Sequence, residues 1–377
     1  MNLRQLQKLA GGVASLPTAP FHELAVFRFI SGWARAHRFR VETDSLGNLL
    51  VGYKKGRVRE RWAFAAHMDH PGFEVVEFAK DPRGRSATCE VEFLGGVSPE
   101  YFRPGTRIVY YTRAGAEVGR GALQGRLGKR GSKRFAAHFA GVAGGGQEPA
   151  YAMWDIRPVF RIAGGRIRSR VCDDLMGCVA IMGLFEELKR TRVEADVVGI
   201  FARAEEVGFV GAIGLARSHR LPKSRVIISV ENSKALPDAK CGDGPVIRVG
   251  DRASVFDPGV TARMTGVAEN LCKEDALFRY QRRLMYGGTC EATAYGEYGY
   301  RVGAVCLPME HYHNMGEGGT IAAERVDLKD VNNLVKMMVA ISTKPATNSR
   351  SLKKRLGELY AKNRRKLCRG NDEFQSS

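Results

Sequence analysis

Two adjacent carboxylates, Glu205 and Glu206, end a short apolar run in the segment DVVGIFARAEEVG, residues 196–208. Val197, Val198, Ile200 and Phe201 have the pattern of a buried strand, and in α/β sheets reactive groups collect beyond the carboxyl ends of strands. Neighbouring side chains point in different directions, so one carboxylate can bind a cation while the other faces a substrate. An isolated Glu-Glu pair would read as a charged strand exit. The same arrangement recurs, however: His67 and Asp69 follow the run Trp62–Ala66, Asp173 opens a helix, Glu231 follows Arg225–Val230, and His313 lies in the loop after Val302–Leu307. Two imidazoles and several carboxylates suit a borderline cation such as zinc, cobalt or manganese. No GxSxG or Cys/His nucleophile motif offers a covalent alternative.

These residues need a sheet to gather them. Leu3–Ala10 and Glu23–Ala36 have helical periodicity, with Leu24, Phe27, Ile30 and Trp33 on one face of the second. Leu49–Tyr53 and Trp62–Ala66 read as strands, and Pro71-Gly72 turns the chain. Helices are expected from Asp173 onward, around Gly211–Ser218, at Cys290–Tyr298 and at Asp327–Ser342. Between about Phe73 and Ile167 the pattern changes to short β-type runs (ATCEVEFL, TRIVYYT, PVFRI), with GKRGSKR and AGGGQEP as exposed loops. The expectation is an α/β fold: a doubly wound, mostly parallel sheet from residues 1–72 and 168–345, interrupted by a β-rich barrel or PDZ-like insertion at 73–167. Residues 346–377 form a basic tail, read as a solvated, partly helical extension.

Composition narrows the classes. The 377 residues are 44% hydrophobic, enough for a real core, and no run is long enough to span a membrane. The N-terminus lacks the apolar stretch of a secretory signal, and the eight cysteines are scattered without a CxxC pair. Reduced thiols in the cytoplasm, with no membrane partner, are expected. The net charge of +19 raises the possibility of a nucleic-acid partner for the basic tail, but no recognised nucleic-acid motif accompanies it.

Taken in order, HMDHPGFEV, CDDLMGCVA, ARAEEVGFVGA, IISVEN, GGTCEATA and LPMEHYHN resemble the dinuclear-metal aminopeptidases that include the glutamyl and tetrahedral (TET) aminopeptidases, some of which carry an endoglucanase label. The resemblance runs to about Thr343 and implies a zinc-exopeptidase-like fold holding two divalent ions per subunit, zinc first, with cobalt or manganese as alternatives. It implies Asp173 as a bridging ligand, His67 and Glu231 completing one site, and Glu206 with His313, rather than His311, completing the other. Glu205 would be the general base, and Asp69 the acceptor that orients His67. The implied activity is removal of N-terminal residues from peptides by a homo-oligomer. A deacylase or other amide hydrolase on the same site, and a non-catalytic protein using its tail on nucleic acid, are the alternatives. A glycosidase acid/base pair would leave the histidines without a task. Four departures stand out: Glu231 where the pattern more often has Asp, Leu175 for an Arg, His70 for an acid, and Cys290-Glu291 for Asp-Ala.

Overall fold

The computed structural model describes residues 2–80, 87–129, 131–141, 147–344 and 350–369. Its central feature is an eight-stranded sheet in the order Arg40–Thr43, Leu49–Lys55, Ala195–Ala202, Trp62–His67, Val226–Lys234, Val302–Met309, Val246–Gly250, Gln281–Leu284. The four central strands, Ala195–Ala202 through Val302–Met309, run parallel, and the antiparallel pairings lie towards the edges. Trp62–His67 and Val302–Met309 are buried along their whole length, as expected of strands covered on both faces.

Helices cover the two faces. Leu3–Ala14, Leu175–Thr191, Pro258–Glu274 and Leu328–Thr343 pack on one side, while Val210–Arg217 and Glu291–Glu297 pack on the other. The doubly wound α/β expectation is met. Leu175–Thr191 is apolar nearly all round because it lies beneath Leu3–Ala14 and Leu328–Thr343. Asp174 caps it, accepting from the Gly177 amide. A Cβ on Gly177 would stand 2.4 Å from the Asp174 carboxylate, so this cap requires glycine at that position.

Between His67 and Asp173 the chain leaves the sheet and forms a closed barrel, ordered Gly72–Lys80, Ala87–Leu94, Arg134–Gly141, Glu117–Leu127, Arg107–Tyr111, Tyr151–Trp154. Phe73 meets Trp154 edge-on at its centre, with centroids 4.8 Å apart. The PVFRI run, expected among the insertion's strands, lies outside this barrel. Phe160–Ala163 joins Arg166–Ser169 and Glu324–Asp327 in a three-stranded sheet. Within GKRGSKR, Gly128, Lys129, Gly131 and Lys133 are exposed; within AGGGQEP only residues 147–149 are described, and Gln147 and Glu148 are exposed.

Residues 235–289, left without elements by sequence patterning, supply two sheet strands and the helix Pro258–Glu274. Its start signal was present in the sequence: Asp257 caps the Val260 amide and Pro258 takes the first turn. In the tail, Arg350–Arg369 is helical. The seven cysteines whose side chains are described are unpaired, and no helix among the described residues is long and apolar enough to cross a membrane.

Candidate metal centre

Parallel strands deliver the expected residues to one edge of the sheet. His67 ends its strand in register with Ala202, so Glu205 and Glu206 emerge beside it. Glu231 lies in Val226–Lys234, Asp173 directly precedes the Leu175–Thr191 helix, and His313 occupies a turn after Val302–Met309. Asp173 Oδ1 is 3.4 Å from His67 Nε2 and its Oδ2 is 3.4 Å from His313 Nε2. Glu206 Oε1 is 3.1 Å from His313 Nε2. Glu205 and Glu231 stand 3.9 and 4.0 Å from His67 Nε2. His311 points elsewhere, its Nδ1 lying 2.9 Å from the Ala323 carbonyl.

Both ligand-type histidines are oriented from behind. His313 Nδ1 lies 2.6 Å from the carbonyl of Gly96, in the loop after the barrel strand Ala87–Leu94, and donates to it. His67 Nδ1 lies 3.2 Å from the main-chain carbonyl of Asp69 and 3.6 Å from its carboxylate. In each ring a proton on Nδ1 leaves the Nε2 lone pair directed at the carboxylates, the tautomer that binds a cation. The Asp69 carboxylate does more than face His67: its oxygens accept from the amides of Glu205 and Glu206 at 3.0 and 3.1 Å, fixing the turn that presents both glutamates.

The donor set fits a cation. Asp173 Oδ1, Glu206 Oε1, Glu231 Oε1 and His313 Nε2 are buried and lack a hydrogen-bond partner within the chain, a costly state for polar atoms. One ligand atom each from His67, Asp173 and Glu206 fall within 4.8 Å of one another, as do those of His67, Glu205 and Glu231. Without a cation, the electrostatics are strained. Burial opposes charge on both histidines, yet the surrounding carboxylates hold their pKa well above the usual value. Burial and carboxylate neighbours push Glu205 well up and Glu231 up to about 8. Asp173 is buried too, but hydrogen bonds to His313 and His67 bring it down. Dense negative charge packed around two imidazoles is the setting a divalent cation relieves, taking the place of the protons the histidines otherwise hold.

Two supporting residues, Glu324 and Glu23, escaped the motif reading, and a third, Asn314, stood at the end of LPMEHYHN without an assigned role. Glu324 is fully buried; its Oε2 accepts from the amides of Cys172 and Asp173 at 2.6 and 3.1 Å, and its Oε1 from His313 at 2.8 Å. One carboxylate thus joins the segments carrying two candidate ligands. Glu23 accepts from the Ala204 amide at 3.0 Å and pairs with Arg203, bracing the Glu205–Glu206 turn, where Ala204 has a φ of 53°. Asn314 donates to the Arg170 and Ala322 carbonyls, so its Oδ1 faces His70 Nε2 at 3.0 Å while His70 Nδ1 faces the Asp173 carbonyl at 2.8 Å. Both nitrogens of His70 therefore face oxygen atoms, tying the His70 ring to the Asp173 and Asn314 segments. A single buried Glu in an ordinary polar segment gives no sequence signal of such a role.

The cleft over the carboxylates is walled by Asn232, Ser233, Arg248, Met285, Thr289 and Tyr312. Of the departures noted above, Leu175 is buried in the core and Cys290 precedes the Glu291–Glu297 helix, its amide donating to Asp251 at 3.0 Å. Glu291 is fully buried, and burial raises its pKa to about 7.

Residues 150–337 match the M42 glutamyl aminopeptidase family. A protein of Acetivibrio thermocellus named "Putative aminopeptidase" is 26% identical over 315 residues, covering 79% of this chain and 87% of that one. Among solved structures, an aminopeptidase from the archaeon Desulfurococcus kamchatkensis is similar with a TM-score of 0.74 at 23% identity, over 91% of this chain and 96% of its own. The Pyrococcus horikoshii TET1 peptidase, which can assemble into a tetrahedron or a large octahedral shell, is similar with a TM-score of 0.71 at 20% identity, over 90% of this chain and all of its own.

Proposed function

We propose that this chain, a member of the M42 glutamyl aminopeptidase family, removes N-terminal residues from peptides using two divalent cations held by its own side chains, with Glu205 as general base. The observation that carries this reading is the Asp173 carboxylate, whose two oxygens face the Nε2 atoms of different histidines at equal distance, as a bridging ligand's would. On this reading His67 and Glu231 complete one site, and Glu206 and His313 the other. When bound, the cations supply Lewis acidity, lowering the pKa of water towards neutrality and polarising the scissile carbonyl. Mixed nitrogen and oxygen donors favour zinc, with cobalt or manganese next.

The remaining work falls to the protein. Glu205 Oε2 stands 3.9 Å from His67 Nε2, and its burial among other carboxylates raises its proton affinity. It would take a proton from the attacking water and pass it to the leaving amine. Asp69, through the two amides it accepts from, would hold Glu205 and Glu206 to their separate tasks. We assign the barrel, residues 72–154, to the insertion, the rest of the chain up to 345, including Phe160–Ala163 and Arg166–Ser169, to the catalytic domain, and 346–377 to a separate basic tail. The assembly of the P. horikoshii peptidase supports a homo-oligomer here, which light scattering on the purified protein would measure.

Chelation followed by zinc or cobalt add-back, assayed on a panel of aminoacyl chromogenic substrates, tests the activity. Metal-restored cleavage of free-amine substrates is expected. Restoration only on N-acylated substrates would make the protein a deacylase, and bound metal without cleavage of any substrate would overturn the reading.

A further inference from the structure

The helix Arg350–Arg369 has no place in the peptidase chemistry, and its surface has an unusual composition. It carries nine lysine and arginine residues against the one carboxylate of Glu358. Every residue from 353 to 366 is exposed, so neither face of that stretch packs on the body of the protein. At 3.6 residues per turn, positions 356, 359, 360 and 363 share one stripe, and three of them are leucine or tyrosine. Leu356, Leu359 and Tyr360 are 56, 50 and 65% exposed, while the basic positions occupy the rest of the circumference.

Three kinds of partner could cover such a helix. A nucleic acid would use the charge but leave the leucine stripe in water. A second copy of the helix could use the stripe but would bring two strongly positive surfaces together. An anionic bilayer uses both, taking apolar side chains into the acyl boundary and basic ones against the headgroup phosphates. We propose that this helix docks the protein peripherally on anionic phospholipid surfaces, a partner the sequence reading did not expect. The proposal is independent of the peptidase reading and stands or falls without it.

Co-sedimentation of the full chain with phosphatidylcholine vesicles, with and without phosphatidylglycerol, tests it. Binding is expected only to the anionic vesicles, and it should weaken at high salt. The triple variant Leu356→Ser/Leu359→Ser/Tyr360→Ser should bind those vesicles about tenfold more weakly or less, as should Lys362→Glu/Arg365→Glu. All the altered residues are exposed, so far-ultraviolet spectra and thermal midpoints should match the parent and certify folding. Failure to bind anionic vesicles overturns the proposal. So does a triple variant that binds them like the parent, since charge alone would then suffice. Tighter binding to single-stranded RNA than to vesicles, unaffected by the triple change, would replace the bilayer with a polyanion.

Discussion

His67 and His313 face the same carboxylate from opposite sides, yet the fold holds them by opposite means. His67 is the last residue of a fully buried strand paired on both sides, so its position follows from sheet register. His313 sits in a turn where His311, His313 and Asn314 all have positive φ, at 58, 54 and 63°. Such conformations cost about 1–3 kcal/mol each outside glycine and persist only where the surroundings over-determine them. Here Glu324, Asn314 and the Gly96 carbonyl provide that determination. A candidate ligand on regular structure inherits its place; one on a loop must have its place built by polar contacts.

The largest effect tests whether the two halves divide labour at all. Glu205→Gln should keep both cations, by elemental analysis, while turnover drops about 10²- to 10⁴-fold. Glu206→Gln should instead weaken metal binding on the His313 side. Equal metal loss in both variants would erase the distinction between base and ligand.

Next comes the built half. Glu324→Gln leaves a single acceptor for three amides and should lower metal affinity about 10- to 100-fold, measured by competition with a chromogenic chelator. The loss should fall on the proposed site of Glu206 and His313. If both sites weaken alike, Glu324 braces the whole cluster through Asp173, and the contrast between the histidines is overstated.

A pH profile gives a smaller but sharper reading. In metal-free protein burial lifts Glu324 to about 7 and Glu231 to about 8, against 4.5 for the ordinary side chain. Between those limits the folded chain holds protons that the unfolded chain has released. The stability these groups contribute is complete below about pH 4.5 and declines as pH rises through 7 to 8. The raised histidines act in the same direction, contributing fully below 6.5 and losing stability above it. The thermal midpoint of chelated protein should therefore fall between about pH 5 and 8. Zinc should flatten or reverse that trend, because cations bind the deprotonated donors. A metal-free midpoint that climbs over the interval would contradict the protonation pattern, and Glu324→Gln should remove only part of the slope.

The same contrast explains what could be read from sequence. Strands such as Trp62–His67 and Val226–Lys234 announce themselves through apolar runs, and parallel register then brings His67, Glu205, Glu206 and Glu231 together. The doubly wound sheet and the cluster were legible for that reason. Glu324 and Glu23 were not, because their work is done on backbone amides about 11 to 181 residues away, and no local pattern marks a side chain that binds main chain at a distance. The helix Pro258–Glu274 was missed although both its capping signal and an apolar stripe (Val260, Met264, Val267, Ala268, Leu271) were present, the stripe being broken up by the buried polar residues Thr261 and Arg263. The strand Phe160–Ala163 was read correctly as β but given to the wrong neighbours, since a short strand carries no address for its partner.

The contact from His313 to Gly96 has a consequence for how this chain can change over generations. The accepting group is a main-chain carbonyl, which every amino acid possesses, so a point mutation at position 96 cannot delete it. Drift in the barrel's sequence is therefore tolerated at that contact as long as the loop's path is kept. Excising the barrel, or grafting one with a loop of another length, would take away the hydrogen bond that sets His313's tautomer. Residue identity there is free to wander, and loop length is not.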